Sequence, residues 1–290
     1  MQSVAEFEIA SQPDLWRKVA TMRDEYQLLL PKPGERVGVV GCGTSWFMAQ
    51  SYASLRESQG QGETDAATAA EFLYTRKYDR LVIICRSGTT TEVVDLLERV
   101  SIPSVVITGV AGSPVTELVQ DSIILDYADE ESVLQTRYAT SALGLLRSSL
   151  GADLNALADD AEIALNSDLG ELPNSEQITF LGQGWTNGLA QEGALKTREA
   201  AQFWAEAYPA LDYRHGPIAI AQKGRTVWAF GEIDKRLQSD IQATGALLEM
   251  SSLDPMAHLI RAQRTAVELA KRKGIDPDAP RGLSRSVILD

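Results

Sequence analysis

The chain repeats one short unit. Val37-Gly38-Val39-Val40-Gly41-Cys42-Gly43-Thr44-Ser45 returns as Ile178-Thr179-Phe180-Leu181-Gly182-Gln183-Gly184-Trp185-Thr186. Each copy is an apolar run, a G-x-G turn and hydroxyl residues, and each then enters a helical pattern; Ala49-Gln50 recurs at the same offset as Ala190-Gln191. An apolar run that feeds a glycine turn and a helix is the opening of a parallel α/β layer, with room for a ligand where the strand ends. Two copies therefore predict two α/β halves, and 290 residues are enough for each to build its own core.

Strand and helix patterns alternate along the chain as a parallel sheet covered on both faces requires. In the first half, strands are expected at Arg36 to Gly41, Arg80 to Cys85, Ser104 to Val110 and Ser122 to Tyr127, with a weak Ala-rich edge element from Thr64 to Phe72. Helices are expected from Gln12-Pro13, over Thr44 to Ser58, over Glu92 to Val100, and briefly at Val115 to Val119. Glu131 to Leu165 reads as helical and links the halves. The second half reads as strand 177–182, helix 187–202, an irregular stretch 205–217, strand 226–230, helix 234–246, a short strand at Leu247 to Met250 and helix 255–272. The expected domains are an N-terminal helical segment 1–30, a first α/β domain with linking helices 31–170, and a second with a C-terminal tail 171–290.

A net charge of −13 argues against general binding to nucleic acid or anionic membrane. Met1 to Ile9 does not read as a signal peptide, and no apolar run approaches the ~20 residues of a membrane span, so a cytoplasmic protein is expected. Cys42 and Cys85 are the only cysteines and are expected to be reduced and packed. No Cys/His cluster suggests zinc, and no metal site is expected.

Three constellations carry chemistry. Cys85-Arg86-Ser87-Gly88-Thr89-Thr90-Thr91-Glu92 follows a buried strand and opens a helix, where unpaired N–H groups, hydroxyls and a glycine suit a phosphate without lysine. Thr44 and Ser45 add donors from the neighbouring strand end. The same residues also serve as ordinary N-caps. Gly41-Cys42-Gly43 is a poor dinucleotide fingerprint, because Trp46 stands where the third glycine belongs. Glu192, Lys196 and Glu199 are spaced four and three apart on one helical face. A carboxylate in a partly buried cleft can move a proton, and lysine can stabilise the oxyanion that results; a solvated salt-bridge face has the same spacing. Finally, Tyr213-Arg214-His215-Gly216-Pro217 places one of two histidines in a loop, where it is either structural or a proton carrier.

Together these segments resemble the tandem sugar isomerase (SIS) family, in particular the isomerase part of glucosamine-6-phosphate synthase and its stand-alone relatives. The resemblance runs from Glu8-Ile9-Ala10-Ser11-Gln12-Pro13, through both turns, Glu192-Gly193-Ala194-Leu195-Lys196 with Glu199, Ala205-Glu206-Ala207-Tyr208 and Arg214-His215-Gly216-Pro217, to Lys273-Gly274-Ile275-Asp276-Pro277-Asp278-Ala279-Pro280-Arg281. It implies two SIS-type three-layer αβα halves with mostly parallel sheets. It implies phosphate binding by Ser45, Ser87 and Thr90, with Thr44, Arg86 and Thr89 beside them. It implies Glu199 as the base that shuttles a proton between C1 and C2, His215 as the ring-opening group contributed across a homodimer, and Glu192 and Lys196 beside the sugar. The implied activity is cofactor-independent aldose–ketose isomerisation of a sugar or amino-sugar phosphate. Amino-sugar phosphate deamination and non-catalytic phosphosugar sensing are the alternatives.

Four departures bear on substrate. No glutaminase domain or N-terminal cysteine nucleophile is present, so glutamine-fed synthesis is not expected. Cys85 and Arg86 replace the usual hydroxyl and glutamine, and Arg86 is placed to pair with a phosphate or a substrate acid, as in stand-alone deaminases. Arg285 matches the tail lysine, and arginine cannot form its imine; the tail then only clamps the ligand, or the substrate is not fructose 6-phosphate. Gln135 and Arg137 stand where smaller residues and lysine are usual.

Overall fold

The computed structural model describes residues 2–289; Met1 and Asp290, the outer limits of the expected domains, lie outside the described residues. Contacts divide the chain into two compact units. One comprises 14–131, 135–155 and 284–290, and the other 1–13, 132–134 and 156–283.

The first of these units is built on five parallel strands in the order β2-β1-β3-β4-β5: β1 Val37–Gly41, β2 Thr64–Thr68, β3 Arg80–Ile84, β4 Ser104–Thr108 and β5 Asp121–Ile124. Register pairs Val40 with Ile83 and Ile83 with Val106. Side chains alternate across a strand, so these three share one face, and Val39, Val82 and Val105 share the other. All six are fully buried, which explains why the strands read as continuous apolar runs. The Val40 face packs with Val93, Leu96 and Leu97 of helix α4 Thr91–Arg99 and with Val115 of the short helix α5 Pro114–Glu117. Helix α3 Thr44–Ser58 packs on β1 and on α6 Arg137–Ser149, and α2 spans Gln12–Gln27.

The second unit has four parallel strands in the order β7-β6-β8-β9: β6 Gln177–Gly182, β7 Ala205–Pro209, β8 Arg225–Phe230 and β9 Leu247–Glu249. Leu181, Val227 and Ala229 face α9 Lys235–Ala243 through Leu237 and Ile241. On the opposite face, α8 Thr186–Ala201 packs against β6 and against α10 Pro255–Arg272. Helix α1 Val4–Ala10 and, from residue 156 onward, α7 Leu154–Asn166 belong to the same unit.

The repeat is structural. β1 and β6 are each second from the edge, and their glycines meet the same demands. Gly43 and Gly184 have φ of +54° and +57°, which an L side chain rarely adopts. A Cβ on Gly41 would lie 2.5 Å from the Ser45 carbonyl carbon, and one on Gly182 would lie 2.3 Å from the Thr186 carbonyl oxygen. The helix in each copy therefore presses directly on the strand end.

Two expectations are corrected. Glu131 to Leu165 is not one helix: α6 and α7 are separated at Gly151, whose φ is +95°. The irregular stretch 205–217 begins with edge strand β7, which pairs Ile178 with Ala205. Helix α1, within the expected N-terminal helical segment, is closed at Ser3 by a capping box with Glu6. Among the described residues, no helix is long and apolar enough to cross a membrane.

Candidate functional site

Two groups of candidate residues stand in different units. The first lies at the C-terminal ends of the neighbouring parallel strands β1 and β3, where Thr44-Ser45 and the Arg86–Thr90 turn follow. Gly43 caps α3 with no side chain to satisfy its first turn, and Thr44 and Ser45 are buried at its start. In the second turn, Gly88 has φ +66°, and a Cβ there would lie 2.0 Å from Ser113 Oγ. No other residue fits that position, and the backbone is drawn tight against the short helix α5.

The simple capping role does not account for this turn. Thr90 occupies the N-cap of α4 without a side-chain cap bond, and its hydroxyl instead accepts from Cys85 Sγ at 3.7 Å. Ser87 accepts from Thr89 N–H at 3.2 Å. The hydroxyls of Ser87 and Thr89 both donate to Ser286 Oγ, at 3.1 and 2.9 Å. The C-terminal segment thus lies along the turn. Thr91 N–H donates to the Val287 carbonyl at 3.2 Å, and Leu289 N–H donates to Thr91 Oγ1 at 2.9 Å.

Arg86 is buried and turned toward the protein. Its Nη1 lies 3.5 Å from Glu130 Oε2, and its Nη2 donates to the Arg285 carbonyl at 2.8 Å. Glu130 is fully buried. It accepts from the N–H groups of Thr136 and Arg137 and from the Thr136 hydroxyl. Burial raises its pKa above the usual carboxylate range against the pull of Arg86 and these donors. Arg285 donates to the Glu130 carbonyl and pairs with Asp129, while Arg137 donates to the Asp129 carbonyl. Arg86 and Arg285, read as ligand-facing, are therefore the two sides of a knot that fixes the tail to the turn. Glu130 and Asp129 were not singled out from the sequence, although they adjoin the segment in which Gln135 and Arg137 depart from the family pattern. The Gln135 side-chain nitrogen is buried with no hydrogen-bond partner among the described residues.

The second group lies on α8. Gly193 lets this helix approach β6, where a Cβ would lie 2.9 Å from the Phe180 ring. That contact buries the helix, and with it Glu192 and Lys196, each 1% exposed. Lys196 Nζ lies 3.6 Å from Glu192 Oε1 and makes a short contact with Glu199 Oε2. Glu199 is 17% exposed and opens into a cavity of about 390 Å³ with Arg198, Gln202, Phe203 and Arg281. So the spacing does not describe a solvated face: one carboxylate and the lysine are enclosed, and the second carboxylate is half-open. His215 is exposed and ends a 3-10 turn, Leu211–His215, before Gly216 at φ +136°. Beside it, Arg214 pairs with Asp240 at 2.8 Å and Asp234 at 3.2 Å. In the repeated turn of this unit, Thr186 Oγ1 accepts from Gln183 N–H at 2.9 Å and donates to the Phe230 carbonyl at 3.0 Å. The second copy spends its hydroxyl on its own backbone.

No family model matches the chain. It is 29% identical over 300 aligned positions, 89% of its length, to a glutamine–fructose-6-phosphate aminotransferase (isomerizing) of Sulfurisphaera tokodaii, and 28% identical over 88% of its length to one of Pseudomonas aeruginosa. It covers 51% and 52% of those proteins, so it spans about half the length of the curated relatives it matches. Among solved structures, the glucosamine-6-phosphate deaminase of Thermotoga maritima superposes with a TM-score of 0.81 at 24% identity, covering 99% of this chain and 100% of that one. The C-terminal domain of the Francisella tularensis glucosamine-fructose-6-phosphate aminotransferase also gives 0.81, at 22% identity, covering 97% and 99%. The tandem arrangement of parallel-sheet halves is the fold of these SIS-type proteins.

Proposed function

We propose that this chain, similar in sequence and fold to phosphosugar-converting proteins of the SIS type, is an aldose–ketose isomerase of a phosphorylated sugar or amino sugar that works without a cofactor. The observation that carries this reading is the state of Glu199: a carboxylate open to a cavity on one side and held by a buried lysine on the other. Proton transfer at carbon needs a base that is fixed in place yet accessible, and a cation near the charge that develops. The hydroxyl turn of the other unit is assigned the phosphate, by Ser45, Ser87 and Thr90 with Thr44 and Thr89 beside them. Its backbone suits a compact anion, although Arg86 is committed to Glu130.

In this mechanism His215 moves the proton that opens the ring. Glu199 then takes the proton from C2 of the open aldose. The electrons of that C–H bond become the C1=C2 bond of an enediol, and the former carbonyl oxygen takes up a proton. Glu199 returns its proton to C1 as the O2 proton leaves, and the ketose results. Lys196 stabilises the oxyanion character and Glu192 holds Lys196. Homodimer formation, with His215 supplied by the partner, belongs to this reading.

Deamination of an amino-sugar phosphate is the second reading, suggested by the likeness in fold to a glucosamine-6-phosphate deaminase. It shares the ring opening and the proton transfer, which here passes through an enolamine; return of the proton to C1 gives a C2 iminium, water adds at C2, and ammonia leaves as the ketone forms. Glu199→Gln tests both. Turnover of hexose or hexosamine 6-phosphates should fall by about 10²–10⁴-fold. Binding should persist: a ligand at about 100 times its dissociation constant still adds about 2.7 kcal/mol to stability. Retained turnover would end the Glu199 mechanism. Ammonia release from glucosamine 6-phosphate by the unaltered protein would select deamination. Binding without turnover in the unaltered protein would leave a sensor.

A further inference from the structure

One face of helix α10 lines a cavity. Arg264, Val267, Glu268 and Lys271 are spaced three, one and three apart, so they form a single stripe. They floor a cavity of about 380 Å³ between α1 and the end of α7. That size is in the ordinary range of small-molecule sites. The two walls are fixed to α10 by separate polar bridges. Lys271 Nζ pairs with Glu6 Oε1 of α1 at 2.5 Å, and Gln263 accepts from Gln12 at 2.7 Å. On the other side, Arg264 Nη1 donates to the carbonyls of Ala164 and Ser167 at 2.7 and 2.8 Å. Arg261 reinforces that wall by donating to Ser167 Oγ at 2.8 Å. These bridges tie both walls to α10.

The lining has two characters. Half-buried Leu165 and Leu169 give an apolar surface, with the buried side chains of Ile9 and Val267 behind them. Arg264 and Lys271 are balanced by Glu6 and Glu268. A lining with equal charge of both signs disfavours a simple anion or cation and suits a zwitterion. Arg264 and Glu268 stand one helical turn apart, about 5–6 Å between their Cβ atoms. That is the separation at which an α-carboxylate can meet the guanidinium while the α-ammonium meets the carboxylate. We propose that this cavity binds a free α-amino acid with an apolar side chain. The head group sits on Arg264 and Glu268, and the side chain lies on Leu165 and Leu169, backed by Ile9 and Val267. None of these residues belongs to the phosphosugar reading.

The test is calorimetric titration of the full chain with L-leucine, with leucinamide, 4-methylpentanoate and glycine as comparisons. Leucine should give saturable binding. Each comparison should bind at least about tenfold more weakly, since each lacks one of the three recognised groups and leaves its partner unmatched. Glu268→Gln should weaken leucine by a similar factor, and its half-exposed pairing with Arg272 at 3.3 Å makes it a mild change to the fold. Val267→Trp should abolish binding by filling the cavity; a melting curve establishes that this variant is folded. Absence of saturable heat at millimolar leucine, equal binding of glycine or leucinamide, or undiminished binding to Glu268→Gln would each overturn the assignment.

Discussion

His258 is the histidine with no part in the proposed chemistry, and its place in a helical pattern does not mark it out. It is 1% exposed, with its ring 4.8 Å from Trp228 and edge-on to Phe230. Its Nε2 lies 3.2 Å from Glu249 Oε1, which also accepts from Arg261 Nε at 2.8 Å. Burial holds the imidazole below the usual histidine value of 6.5, against the pull of Glu249. Burial also opposes ionisation of Glu249, but bonds from His258 and Arg261 outweigh it and hold that carboxyl below its usual 4.5. Both shifts act in one direction. The unfolded chain takes up protons first, so the stability they confer is complete above pH 6.5. It declines as the pH falls, first through the histidine range and then through the lowered carboxyl value. Denaturant titrations should show level stability at neutral pH and a fall below 6.5, and His258→Gln should flatten the upper part of that fall. A fall of equal size in the variant would assign it to other groups. Neither this cluster nor the Arg86–Glu130 pair was legible in the sequence, because each joins residues on separate elements. The Glu192, Lys196 and Glu199 group was legible because one helix supplies all three.

Helices and strands show the same division between local and distant causes. Helix α3 was readable to its ends, since a strand, a glycine turn and an apolar helical run announce it. Strand β7 was not, because Ala205 to Pro209 has little strand preference and is held by pairing with β6. Helix α1 depends on both kinds of cause. Ser3 and Glu6 close its start locally, while Asp278, near the other end of the chain, accepts from Val4 and Ala5 N–H at 2.8 and 2.7 Å. The carboxylate meets exposed donors at the positive end of the helix. Asp278→Ala should therefore lower the unfolding free energy by about 1 kcal/mol, measured in urea, with little change in the slope. A change within error would mean that the Ser3–Glu6 box suffices.

For the molecule as a whole, the duplicated layer was the most readable feature, and the exchange of segments was the least. The repeat predicted two parallel sheets. It did not predict that the chain returns at Ser284 to the unit it left at Asn155, because only the tail contacts reveal this. Subunit partnership belongs to this scale too. If His215 serves the partner's reaction, mixing inactive His215→Asn with inactive Glu199→Gln should restore activity, because one site in the mixed dimer then holds both native residues. Lack of restoration after verified subunit exchange would place both groups in one chain. The tail has a consequence for any such measurement. Ser286 already fills hydrogen-bonding positions of Ser87 and Thr89, so a phosphate that binds there as proposed is a competitor rather than a newcomer. The affinity read from outside is a difference between two occupancies, and a change at the C-terminus can alter it while every group that touches the sugar stays the same.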